Sequence, residues 1–191
     1  MAGAGWLLLG AFGLAAGCRA GEGKAPSGAR LEARWTGADT AAFSSAATAE
    51  WCDSLNLLEI FAIAGDTGIG IALYPRDGIA PGSYPVRPPE AADSMPPAAA
   101  LGLRWFSETS VQGYQGDSGQ VSLTSAPDGA LAGRFTATAH AISGKGRLTI
   151  TGSFDGLRQR PATRGCTTAP VPRPAAPSDS AAPSDSAEDV D

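Results

Sequence analysis

From residue 29 to residue 168, apolar and polar positions alternate with a period of two, and the alternation is broken by short runs of turn residues. That is the pattern of antiparallel strands with one buried face. In ARLEARW, Leu31, Ala33 and Trp35 alternate with Glu32 and Arg34. The same rhythm sets Leu103 and Trp105 after Leu101, pairs Val121 with Leu123, and spaces Phe135, Ala137 and Ala139. It returns in Leu148, Ile150 and Phe154, with Thr149 and Thr151 opposite. The segments GDTG (65–68), APDGA (126–130) and SGKG (143–146) supply glycine where a hairpin needs positive φ. Gly116–Gly119 reads as a further tight turn, leading into the strand QVSLTS.

DSLNLLEIFAIAG fits either a helix capped by Asp53 or Ser54 or a strand. The strand is favoured because Ile69, Ile71 and Leu73 continue at period two across a glycine-bearing turn, so one hairpin accounts for both halves. Four prolines exclude regular structure from most of residues 88–99. The expected fold is all-β: a single antiparallel β-sandwich or small barrel of about 8–9 strands.

The ends differ from this middle. Residues 6–16 are apolar and uncharged, which suits the core of an export signal and falls short of the roughly 20 residues of a transmembrane helix. Leu14-Ala15-Ala16-Gly17-Cys18 resembles the lipobox of bacterial lipoproteins. The resemblance implies a signal peptide over 1–17, acylation of Cys18, and a membrane lipid as partner. An ordinary cleaved signal or a short uncleaved anchor with an incidental cysteine is the alternative. Arg19 stands where well-studied enteric bacteria place the aspartate that retains a lipoprotein at the inner membrane, so the resemblance implies the outer membrane. Residues 18–28 read as a flexible tether. Residues 169–191 repeat Ala-Ala-Pro-Ser-Asp-Ser twice, offer nothing larger than Val to a core, and read as a disordered tail.

Composition narrows the function classes. With 191 residues, 43% hydrophobic and 17% charged, the chain can form one globular domain with tails. The tail holds five acidic residues against one arginine, so it carries four of the five net negative charges. No basic stripe remains to bind nucleic acid. If Cys18 is lipidated, Cys52 and Cys166 are an even pair in an exported, oxidising setting, and a disulfide is the economical reading. A free pair is the alternative, and a metal site with His140 matches no zinc spacing, so no metal is expected; nor is a cofactor.

Three motifs bear on chemistry. Gly116-Asp117-Ser118-Gly119 and the stretch before His140 resemble the nucleophile and base segments of trypsin-like proteases. In that family the histidine precedes the serine by well over a hundred residues, whereas Ser118 precedes His140 here. Asp66-Thr67-Gly68 resembles the Asp-Thr-Gly of aspartic proteases, but Gly65 stands where that family places an apolar residue. Both motifs read better as turns, and His140 as a partly exposed histidine at a strand end. Arg147, Arg158, Arg160 and Arg164 could gather an anion, or lie solvated on strand faces. Trp35, Trp51, Trp105, Phe61, Tyr74, Tyr84, Tyr114, Phe135 and Phe154 could line a ligand pocket or form the core.

Residues 119–157 contain Gly-x-Val, Gly-x-Phe and a second Gly-x-Phe strand. They resemble the C-terminal half of bacterial envelope lipoproteins whose all-β domains have no assigned activity. The expectation from sequence is therefore a non-enzymatic, lipid-anchored β domain with a binding or structural role at the cell envelope, and an envelope protein or glycan as partner. A barrel carrying an apolar small molecule is the rival, and a protease using Ser118 and His140, or Asp66, is more distant.

Overall fold

The computed structural model describes residues 28–107, 109–126, 128–162 and 166. The signal peptide, Cys18, the tether up to residue 27, Arg164 and the segment 167–191 lie outside the described residues. Ten strands form one sheet: β1 (Arg30–Gly37), β2 (Ala41–Cys52), β3 (Leu57–Ala64), β4 (Thr67–Tyr74), β5 (Gly82–Pro85), β6 (Ala98–Ser107), β7 (Ser110–Ser125), β8 (Leu131–Ala141), β9 (Arg147–Leu157) and β10 (Gln159–Pro161). Eight of them pair antiparallel in the order β1-β2-β3-β4-β6-β7-β8-β9, and β9 returns to β1. The result is a closed up-and-down barrel, so the sandwich alternative is set aside.

Two short strands fill gaps where longer neighbours diverge. β6 and β7 pair only from Gly102 and Gln115 toward their connection. Beyond that point β5 pairs with β7, while Val86 bridges Ala99 of β6. Likewise β10 runs parallel to the second half of β2, past the start of β1. Both insertions lie at the end of the barrel that also holds the Cys52–Cys166 disulfide, with Cα atoms 5.4 Å apart. The opposite end carries the connections β1–β2, β3–β4, β6–β7 and β8–β9 and is the hairpin end.

Alternation sends every second side chain inward. Leu31, Leu58, Ile71, Ile150 and Phe154 are almost fully buried and belong to a single core cluster. An eight-stranded barrel is just wide enough for such side chains to fill it. At the hairpin end Trp105 stacks between Trp35 and Tyr114, with ring centroids 5.9 and 5.3 Å away. The aromatic residues mostly serve the core, as one of the two readings had it, but Phe61 and Tyr74 face outward.

The expected hairpin turns form at Gly65, Gly129 and Gly144, all with positive φ. The ambiguous segment is a strand from Leu57, preceded by a single 3-10 turn at Asp53–Leu55. Pro89–Ala92 makes one helical turn, α1, within the proline-rich connector. The tight turn expected at Gly116–Gly119 does not form. Those residues lie inside β7, and the register against β8 shifts between Gly116 and Ser118, leaving Asp117 as the extra residue of a β-bulge. A strand of 16 residues has to bend as it wraps the barrel and changes partner from β6 to β5. A bulge supplies that bend, and Gly119, at φ 131°, leaves room for the backbone of Thr136 and Ala137.

Candidate functional site

The bulge aims Asp117 at the outside of the barrel, between His140 of β8 and Arg147 of β9. His140 Nδ1 lies 2.5 Å from Asp117 Oδ1, and Arg147 Nη1 donates to Oδ2 at 3.2 Å. The carboxylate thus bridges an imidazole and a guanidinium across three neighbouring strands. A carboxylate that holds histidine Nδ1 is the orienting half of a catalytic triad. The nucleophilic half is not assembled, because Ser118 sits opposite Thr138 and makes no hydrogen bond to His140. Sequence reasoning weighed Ser118 as the partner of His140; the residue that reaches the histidine is Asp117. Asp66 lies in the β3–β4 turn, where its carbonyl accepts from the Phe106 amide.

The three described arginines, Arg147, Arg158 and Arg160, do not converge. Arg147 begins β9 at the hairpin end, and Arg158 follows the other end of that strand, donating to Asp128 Oδ2 at 2.7 Å. Arg160 lies 3.7 Å from Glu50. Each described arginine of the expected anion site faces its own carboxylate, since strand pairing spread them over separate parts of the barrel. Among the described residues, no group of three or more His, Cys, Asp or Glu side chains could hold a metal ion.

The feature that sequence reasoning missed is a trough of about 570 Å³ on the outer wall. Its lining comes from β3, β4, β6 and β7, with Pro89 and Ile142, and none comes from the strands across the barrel, so it lies outside the lumen. The floor is almost bare backbone: Gly68, Gly70 and Ala72 of β4 stand beside Ala100 and Gly102 of β6, and Gly113 of β7 continues the row. Outward positions of a solvated barrel are normally polar, yet here they are glycine and alanine. Phe61 and Ile63 form one wall, Tyr74 and Pro89 close the disulfide end, and Ile142 lies over Gly113 at the hairpin end. Ile63 is 58% exposed, Phe106 50% and Ile142 66%, an unusual concentration of large apolar side chains in solvent. Arg104 lies over the Phe106 ring at 5.9 Å.

Tyr74, at the closed end, has its pKa raised above the ordinary 10.0, first by burial and then by the charges of Asp93 and Glu59. A phenol that holds its proton more tightly when folded contributes stability below pH 10, and that contribution is lost as pH rises through the folded value. Tyrosinate absorbance should therefore show a step above the unfolded value, and Tyr74→Phe should remove that step. Loss of the step in a Tyr84→Phe protein instead would reassign it.

Fold and site together define an eight-stranded up-and-down barrel with a packed lumen and an apolar trough on its outer wall. No family model, no curated protein and no solved structure matches the chain.

Proposed function

We propose that this chain is an exported, lipid-anchored binding module of the bacterial cell envelope, held at the membrane through acylated Cys18 and using the outer trough as its binding surface. The trough carries this reading. Folding into a barrel hides apolar side chains inside, and an exposed apolar channel with a backbone floor has no structural need that the fold reveals. The Cys52–Cys166 disulfide supports export, because such bonds persist in oxidising compartments.

The placement of the ends agrees with an anchor. β1 starts at Arg30 at the disulfide end, so the chain from Cys18 enters the barrel at that end. An envelope protein or glycan is the partner class this arrangement suits, and the outer membrane is the destination implied by Arg19. The role proposed is binding, not catalysis, and needs no cofactor. A lumen carrier would require space that Leu31, Leu58, Ile150 and Phe154 occupy. Cys18→Ala should abolish incorporation of labelled fatty acid and move the protein from the membrane fraction to the soluble one. Unchanged partitioning would remove the anchor from this reading.

A further inference from the structure

The trough has one charge toward each end. Glu59, on β3 toward the disulfide end, and Arg104, on β6 toward the hairpin end, make no ion pair among the described residues. The register sets three outward rows across β3, β4 and β6: Glu59-Ala72-Ala100, Phe61-Gly70-Gly102 and Ile63-Gly68-Arg104. Glu59 and Arg104 are thus opposite corners of one patch, and Gly70 is its midpoint. With strands about 4.8 Å apart and a rise of about 3.3 Å per residue, the two corner Cα atoms are separated by roughly 16 Å.

Opposite charges at equal distances from a centre make a surface complementary to itself. Consider a two-fold axis in the plane of the wall, passing over Gly70 at right angles to the line from Glu59 to Arg104. It turns a second copy face to face with the first and sets Glu59 of each copy against Arg104 of the other, which is an isologous contact. The same rotation carries Phe61 onto the bare floor beside Gly68 of the other copy. The strands of the two copies then cross at roughly 70°, near the orthogonal mode in which sheets pack. Packed sheets stand about 10 Å apart. Glycine and alanine on both floors leave that space to Phe61 and Ile63, and a glutamate and an arginine reaching toward one another span it. A peptide in the trough would need a charge of each sign at matched spacing, whereas a second copy brings both on the same two residues.

We propose that this wall pairs two copies of the chain, with two Glu59–Arg104 ion pairs flanking the interlocked Phe61 side chains. This rests on the reading of the trough as a binding surface and names its partner, an envelope protein identical to the chain itself. Phe61, half out of the wall, becomes a buried aromatic anchor, the kind of residue that carries most of the binding energy at an interface. The ion pairs fix the orientation, because rotated or shifted arrangements lose them or set like charges together.

The test uses full-length Cys18→Ala protein in sedimentation at increasing concentration, where the mass is expected to rise to that of a dimer. Glu59→Arg and Arg104→Glu should each give a monomer whose circular dichroism matches that of the parent. Phe61→Ala should weaken the dimer by about 30-fold or more, the loss typical of an aromatic anchor. Mixing the Glu59→Arg protein with the Arg104→Glu protein should recover a dimer, because opposite charges then meet at both contacts. Gly70→Cys, where a Cβ meets no atom within 4 Å, should link to its own copy through a thiol reagent spanning about 10 Å. Thr149→Cys, on β9 across the barrel, should not. A dimer indifferent to both charge reversals, or a mixture of the two variants that stays monomeric, would overturn the proposal. A parent protein that stays monomeric while soluble peptidoglycan fragments shift its Gly70 and Gly102 amide resonances would overturn the pairing and leave the trough a binding surface, so the two readings fail separately. The anchor is judged by the partitioning of Cys18→Ala.

Discussion

Replacing Cys52 and Cys166 together with serine is expected to lower the unfolding free energy by about 5 kcal/mol, read as a fall in the urea midpoint. The bond joins residues 114 apart in sequence, and chain-entropy models assign roughly that amount to a loop of this size. The structure adds where the loss will be felt. β10 is held to β2 by three register pairs and by the Ala162 amide donating to the Trp51 carbonyl at 2.8 Å. Freed from the disulfide, this short parallel strand has little to keep it on the seam. Amide exchange should accelerate first at Arg160 and Ala162, before the rest of β2 opens. A loss under about 1 kcal/mol, or uniform acceleration over the whole barrel, would show that the bond does not act by closing this seam. A protein made in a reducing compartment should behave like the serine variant.

The strands with strong alternation were legible in the sequence because a barrel wall has one dry face, and Leu31, Ala33 and Trp35 in β1 or Phe135, Ala137 and Ala139 in β8 declare it directly. β2 was not legible. Its inward residues are Phe43, Ala47 and Ala49, set among alanines and serines that blur the contrast between faces. Barrel and sandwich stayed unresolved because closure depends on β1 meeting both β2 and β9, a long-range pairing that no local pattern states. The bulge at Asp117 was misread as a turn since Gly-Asp-Ser-Gly serves either purpose, and only the length of β7 decides. The trough did leave a trace: in GIGIA and ALGLR the large apolar residues alternate with glycine and alanine instead of polar residues. Attention to the large residues found the strands, whereas the small ones held the site.

Gly152→Ala and Gly133→Ala are each expected to cost about 3 kcal/mol, at the upper end of what overpacking a tight interior does, while Gly70→Ala in the trough floor should be neutral or gain up to about 1 kcal/mol. The difference comes from what a Cβ would meet. At Gly152 it would overlap Phe135 Cζ and the Glu32 carbonyl oxygen, with Phe135 Cε1 only 2.8 Å away. At Gly133 it would overlap Phe154 Cζ and fall 2.7 Å from the Ser122 carbonyl oxygen, and at Gly70 it meets nothing within 4 Å. The two Gly-x-Phe motifs explain the symmetry. β8 and β9 are antiparallel, so Gly133 pairs with Phe154 and Phe135 pairs with Gly152. Each ring lies over the other strand's glycine, which covers bare backbone with apolar surface and lets the wall curve. Phe135→Leu added to Gly152→Ala should recover only the part due to the ring, because the Glu32 carbonyl belongs to β1 and cannot withdraw without opening the β1–β9 pairing. Equal urea midpoints for Gly152→Ala and Gly70→Ala would refute this interlock. Full recovery in the double variant would assign the whole cost to the ring and none to the backbone.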